Sequence, residues 1–286
     1  MHGSQIGRRD RLSGSKTSID ALRLTSSRIF DHRSVAEECP VALVYDGTTM
    51  AVLMATPADL TDFAVGFSLT EGIIEDVGEI AELTAAPGPD GIELRVWLRP
   101  RAGRELKERR RRLVGPTGCG LCGIESLREA SRSTRPIVRR INLTPRQISH
   151  SIEMLSASQV LGHATRATHA AGFFQPGATH MIVREDVGRH NALDKLAGAI
   201  ATIGLPGHSG AVILTSRISV EMVQKTAEIG AAFIVAVSAP TALAIRTAEA
   251  NGITLIGVAR GRAFEAFSHF GGIHYPENQA RSIGTT

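Results

Sequence analysis

The spacing of apolar residues changes part-way along this chain. Val41 to Tyr45 and Met50 to Ala55 are two short apolar runs around Asp46-Gly47, a pair that tolerates positive φ and so predicts a β-hairpin. A helix is predicted next, with Thr56 as its cap, Pro57 in its first turn, Asp59 at its positive end and Gly72 at its exit. Ile92 to Leu98 alternates apolar and other residues, the period of a half-buried strand, and a basic helix follows. Together these elements predict a small α+β unit.

Beyond residue 140 the pattern is different. Thr144 and Gln147 form a capping-box signature ahead of a helix patterned from Pro145 to Leu161. Met181 to Arg184, Ala211 to Leu214, Phe233 to Val237 and Thr254 to Val258 are short apolar runs, separated by helical spacing at about 191–203, 220–229 and 242–250. Alternating strands and helices predict parallel strands joined by helical crossovers and covered on both faces, a three-layer α/β domain. The expected organisation is a tail at 1–25, the small α+β domain at 26–115, the α/β domain at 116–275 and a second tail at 276–286.

At 286 residues and 43% hydrophobic content the chain can bury a substantial core. No stretch approaches the roughly 18 uninterrupted apolar residues of a membrane span. Arg8, Arg9 and Arg11 lack the apolar run that a secretory signal would place after them. Three cysteines are too few for a disulfide framework and point to the reducing cytoplasm. The net charge of +4 is concentrated in the leading segment and in Arg104 to Arg112, and with 4% aromatics there is little to stack on exposed bases. No nucleic acid and no membrane partner is expected; an acidic protein or a phosphate-rich cofactor suits the charge better.

Ligands of open parallel sheets gather beyond the carboxyl ends of the strands. The residues there are Glu185-Asp186, Thr215-Ser216-Arg217, Ser238 to Thr241 and Arg260-Gly261-Arg262. Ser219 and Thr241, as helix caps, would turn helix N-termini toward that crevice, a seat for phosphate. The dense polar block from Glu185 to Lys195, including Asp186, Arg189, His190 and Asp194, is either a buried salt-bridge network or a cofactor-facing wall, and the wall is preferred.

A cysteine pair lies in Pro116-Thr117-Gly118-Cys119-Gly120-Leu121-Cys122-Gly123. Its glycines let a bulky partner approach the sulfur atoms, and the helical pattern of Ile124 to Arg132 places the thiols near a helix N-terminus that favours thiolate. Spacing alone leaves open half a zinc site, a dithiol switch and a persulfide relay. Cys39 is expected to pack as a small hydrophobe beside Pro40. His169 is equally consistent with a core position and with one facing the cysteines.

Several strings resemble the formate dehydrogenase accessory sulfurtransferases, the FdhD family: MATPADL at Met54 to Leu60, GFSLTEGII at Gly66 to Ile74 and GCGLCG at Gly118 to Gly123. The others are REDVGRHNALDKL at Arg184 to Leu196, SRISVEMVQK at Ser216 to Lys225 and AVSAPTALA at Ala236 to Ala244. The resemblance implies a small α+β domain followed by a cytidine-deaminase-like three-layer domain. It implies a sulfurtransferase that takes sulfur as a persulfide from a cysteine desulfurase and passes it to the molybdenum of a bis-guanine-dinucleotide molybdopterin cofactor, activating formate dehydrogenase. By position Cys119 matches the persulfide-bearing cysteine and Cys122 its companion. Val258, Ala259, Arg260, Gly261, Arg262 and Ala263 match a cofactor loop, whose arginines suit diphosphate. Arg217, Ser238, Thr241, Asp186 and His190 are the further candidates for cofactor contact. A homodimer without a resident metal is implied; a cofactor-binding chaperone that does not transfer sulfur is the alternative.

Overall fold

The computed structural model describes residues 14–24, 28–106 and 137–275. Cys119, Cys122, the domain boundary expected at 115–116, most of the basic run and the segment 276–286 lie outside the described residues.

The hairpin is Cys39–Tyr45 (β3) and Thr48–Ala55 (β4), joined by a two-residue turn in which Asp46 (φ 47) and Gly47 (φ 77) both take positive φ. The Asp46 carboxylate also accepts a hydrogen bond from the Leu98 amide (3.0 Å), which ties the turn to the next strand of the sheet. That strand, Gly91–Leu98 (β6), pairs with β3 in parallel and with Ile80–Gly88 (β5) antiparallel, giving the order β4-β3-β6-β5. β5 escaped the sequence reading because its exposed residues do not alternate with buried ones at period two.

The expected tail at 1–25 needs correction, because Lys16–Leu24 (β1) pairs antiparallel with Arg28–Ala36 (β2). Pairing satisfies the backbone without requiring much apolar burial, and Ile19 on β1 is 47% exposed. Low apolar content therefore gave no warning of this hairpin.

The first helix, Leu60–Thr70 (α1), starts at Asp59, which is in the left-handed region (φ 51) and makes no side-chain cap. Thr56 is not the cap expected of it. Its amide donates to Asp186 Oδ2 (2.9 Å), and its hydroxyl accepts from the Val187 amide (3.1 Å). A partner 130 residues away has taken the groups that a local cap would have used. Phe63 and Ala64 of α1 pack into the small unit's core with Val41, Leu43, Leu94 and Val96.

The larger unit has a six-stranded sheet in the order β12-β11-β10-β9-β7-β8. Its strands are His169–Phe174 (β7), Ile182–Asp186 (β8), Ala211–Leu214 (β9), Phe233–Ala236 (β10), Thr254–Arg260 (β11) and Ala263–Ala266 (β12). Only β9, β10 and β11 form parallel pairs; β7 opposes both of its neighbours and β12 opposes β11. The sheet is mixed, a correction to the all-parallel expectation. The consequence expected at its edge survives: β7 reverses direction twice over, so β8 runs the same way as β9, β10 and β11, and four carboxyl ends share one edge.

Pro145–Ser158 (α2) covers one face through Ile148 and Leu155. Thr144 and Gln147 close the full capping box, as the sequence predicts. The single helix expected to Leu161 breaks at Gln159 (ψ 86), and Val160–Thr165 (α3) is separate. Arg189–Thr202 (α4), Val220–Ile229 (α5) and Ala242–Asn251 (α6) cover the other face through Leu193, Leu196, Met222, Val223, Ala244 and Ala248. The larger unit is thus three layers, and α1 is wedged between α4 and the smaller sheet.

Candidate functional site

The turns beyond β9, β10 and β11 are stitched to one another by backbone hydrogen bonds. Ile218 N donates to Ala239 O (3.3 Å), Thr241 N to Ile218 O (3.0 Å) and Val258 N to Ser238 O (3.2 Å). Arg217, Ser238, Thr241 and Val258 are therefore held along one continuous rim. The Thr241 hydroxyl is engaged as a cap, accepting from the Ala244 amide (3.2 Å). Ser219 begins α5 without a side-chain cap.

Val258 has positive φ (53), forced where the pairing of β11 with β12 slips between Gly257 and Arg260. The expected cofactor loop is thus the end of β11, a turn at Gly261 (φ 57) and Arg262, and Ala263 at the start of β12. Ala259 is corrected to a core residue, 3% exposed and packed on the α2 side, so its side chain offers nothing to a ligand. Arg260, Gly261, Arg262 and Ala263 are exposed. Arg262 lines a cavity of about 620 Å³ with Arg146, Gln147, His150 and Glu153 of α2. Arg146 was missed by the sequence reading, although a cation in a helix's first turn opposes the macrodipole and so hints at a task other than stabilising the helix.

The polar block divides into two parts. Asp186 is 0% exposed, and its carboxylate accepts from Thr56 N (2.9 Å), Gly188 N (2.8 Å), Asn191 Nδ2 (3.0 Å) and Lys195 Nζ (2.6 Å). With every lone-pair direction taken, Asp186 is a corrected assignment: it belongs to a buried network and not to a ligand-facing wall. Asp194 and Lys225 form a second buried pair (2.8 Å), joined by Thr70 and Glu71 of the small unit. Burial pulls the Lys225 ammonium down, but Asp194 and Glu71 outweigh it and hold its pKa above the ordinary value.

The second part opens on the edge. His169 begins β7 opposite Asp186, while Arg189 and His190 form the first turn of α4; all three are partly buried. Burial and then the Arg189 charge lower the pKa of both histidines, and Lys225 adds to the effect at His190. Both imidazoles therefore hold a proton less readily than an exposed histidine does. The Glu221 carboxyl of α5 is lowered from its ordinary value, first by the nearby Ser219 hydroxyl, with His190 and Arg189 contributing.

Cys39 is partly buried against the small core, and burial followed by Glu37 raises its pKa. A raised pKa and packing against the core suit the structural role the sequence suggests.

The match to the FdhD/NarQ family model spans residues 36–274. The sulfur carrier protein FdhD of Agrobacterium fabrum is 50% identical over 237 residues, covering 82% of this chain and 88% of the relative. Its namesake from Bordetella bronchiseptica is 42% identical over 269 residues, covering 94% and 97%. A crystal structure described as a formate dehydrogenase accessory protein, from Desulfotalea psychrophila, superposes with a TM-score of 0.72 at 25% identity, covering 91% of this chain and 99% of the other. Both units and the shared strand-end edge fall inside the matched span, and the chain belongs to the FdhD/NarQ family.

Proposed function

We propose that this protein is a cytoplasmic sulfur carrier that matures formate dehydrogenase. Cys119 takes sulfur from a cysteine desulfurase and delivers it to the molybdenum of a bis-guanine-dinucleotide molybdopterin cofactor, which is cargo here. The observation that carries the proposal is near-full-length similarity to proteins named as sulfur carriers. In the loading step the Cys119 thiolate attacks the outer sulfur of the donor persulfide. The donor cysteine leaves as thiolate, and the outer sulfur remains on Cys119. Cys122 stands beside it in sequence as the companion thiol.

The rim fits the phosphates of such a cargo. Arg217, Arg260 and Arg262 are exposed cations at or beside the shared edge, and among the described residues none of them is in an ion pair. Guanidinium groups make bidentate contacts to phosphate. The mixed sheet covered on both faces supports the cytidine-deaminase-like reading of the larger unit, and docking of two copies is part of the same proposal.

Mass spectrometry after incubation with a desulfurase and cysteine tests the carrier role. One added sulfur on Cys119 is expected, and Cys119→Ala should abolish formate dehydrogenase activation in a cell lacking the native protein. Normal activation by Cys119→Ala would overturn the proposal. Absence of sulfur loading, with the cofactor still bound, would leave a chaperone.

A further inference from the structure

Among the described residues, two buried side-chain polar atoms lack a hydrogen-bond partner: Arg189 Nε and Ser219 Oγ. Both lie at the strand-end edge, at the starts of α4 and α5. Ser219 Oγ sits beside the Glu221 carboxylate, close enough to lower its pKa but outside hydrogen-bond geometry. Arg189 lies within electrostatic reach of Glu221, yet no ion pair among the described residues includes it. An orphaned guanidinium nitrogen is costly in a protein that satisfies its neighbours so fully, as the Asp186 carboxylate a few residues away shows.

The surroundings say what would relieve that cost. His169 on β7 feels Arg189 and, with opposite sign, Asp186 on β8. His190 feels Arg189, Lys225 of α5 and, with opposite sign, Glu221 of α5 and Glu71 at the end of α1. Burial first, and then the Arg189 charge, keep both imidazoles from protonating readily. An incoming anion would pair with Arg189 and offset its charge at both rings. Each ring could then donate an N–H while taking up a proton. A planar guanidinium with an unpartnered nitrogen and two imidazoles within electrostatic reach suits a phosphate-type oxyanion.

We propose that Arg189, with its unpartnered Nε and within electrostatic reach of His169 and His190, is an oxyanion receptor whose occupation draws protons onto the two histidines. The proposal deepens the sulfur-carrier reading, in which a phosphate-bearing cargo reaches this edge, by giving one phosphate group a place that the exposed arginines do not provide. Binding is therefore linked to pH: it should tighten as pH falls through the imidazole range, because the bound state holds more protons than the free state.

The test is a titration of the full chain with inorganic pyrophosphate, followed by calorimetry and by the imidazole resonances of His169 and His190. Pyrophosphate should raise both histidine pKa values in the parent protein. In Arg189→Gln both values should already be higher without ligand, and binding should weaken about ten- to a hundredfold. Arg189→Lys keeps the charge but loses the fork, and should restore the low histidine values with only part of the affinity. It also serves as the variant of record if Arg189→Gln does not fold. Glu221→Gln should tighten binding, since its carboxylate opposes an incoming anion. A nucleoside diphosphate that binds more tightly than pyrophosphate, with the same loss in Arg189→Gln, would mean that the oxyanion arrives on a nucleotide; equal affinity would mean a free oxyanion. Undisturbed histidines on pyrophosphate addition, or unchanged affinity in Arg189→Gln and Arg189→Lys alike, would overturn the receptor. Sulfur loading of Cys119, measured on the same samples, separates the readings: failed loading with intact pyrophosphate binding would count against the carrier role alone.

Discussion

Asp186 and Lys195 show how a polar block can be misread at the residue scale. Both are 0% exposed, so neither can be left unpaired cheaply, and the Asp186 carboxylate collects donors from Thr56, Gly188, Asn191 and Lys195. Asp186→Ala should lower the unfolding free energy by ~3–5 kcal/mol in urea titrations, the usual cost of stranding one member of a buried pair. Asp186→Ala with Lys195→Met should cost less than Asp186→Ala alone, since no charge is then stranded. The histidines set a second expectation. Their pKa values are lowered in the folded state, by burial and then Arg189, so the unfolded chain binds protons that the folded chain does not. Stability should therefore fall as pH drops from the ordinary imidazole value of about 6.5 toward the folded values. Urea midpoints on either side of that value check the sign, and His190→Gln should reduce the slope. The residue types of this block were legible in the sequence, but their division between network and edge was not. Thr56 and Asp186 meet across 130 residues, and no local pattern reports that.

At the scale of elements, legibility followed local chemistry. The Thr144–Gln147 capping box and the Asp46-Gly47 turn act within a few residues and were visible in the sequence, as were the Thr241 cap of α6 and, from apolar spacing, the spans of α5 and α6, whereas the cap expected of Ser219 does not form. β7 was not, because His169-Ala170-Ala171-Gly172 is short of β-branched residues and is made a strand by β8 and β9 on either side. Gly66 and Gly198 carried no visible signal either, yet they set the contact of α1 with α4. A Cβ on Gly66 would strike the Asp194 carbonyl, and one on Gly198 would strike the Asp62 carbonyl. Replacing glycine by alanine within a helix normally stabilises by ~0.5–1 kcal/mol. Here the obstruction is backbone on both sides, so the sign should reverse. Gly66→Ala and Gly198→Ala are each expected to destabilise by ~1–3 kcal/mol, the range for overpacking, as a lowered melting temperature would show.

The two units read from the sequence are not independent in the whole molecule. α1 belongs to the small unit by sequence and packs against α4 of the larger one. The joint is held by Thr56 with Asp186 and Val187, by Thr70 and Glu71 with Lys225, and by Arg184 with Asp62 (2.6 Å). Lys225 reaches Asp194 and both small-unit residues at once, so separating the units would break the Lys225 bonds to Thr70 and Glu71 and the Thr70 bond to Asp194. Unfolding one unit while the other stays folded would break the same cross-unit bonds and expose the closely approaching glycine faces of α1 and α4. The chain should therefore unfold in one cooperative transition. Its single tryptophan, Trp97 on β6, reports the small sheet, while far-UV circular dichroism is weighted toward the helices of the larger unit. The two signals should trace coincident urea transitions. Lys225→Met should shift both to lower urea together, because the residue belongs to the joint and not to either unit alone. A tryptophan signal that moves separately from the dichroism, in the parent or in Lys225→Met, would show that the joint does not couple the two sheets.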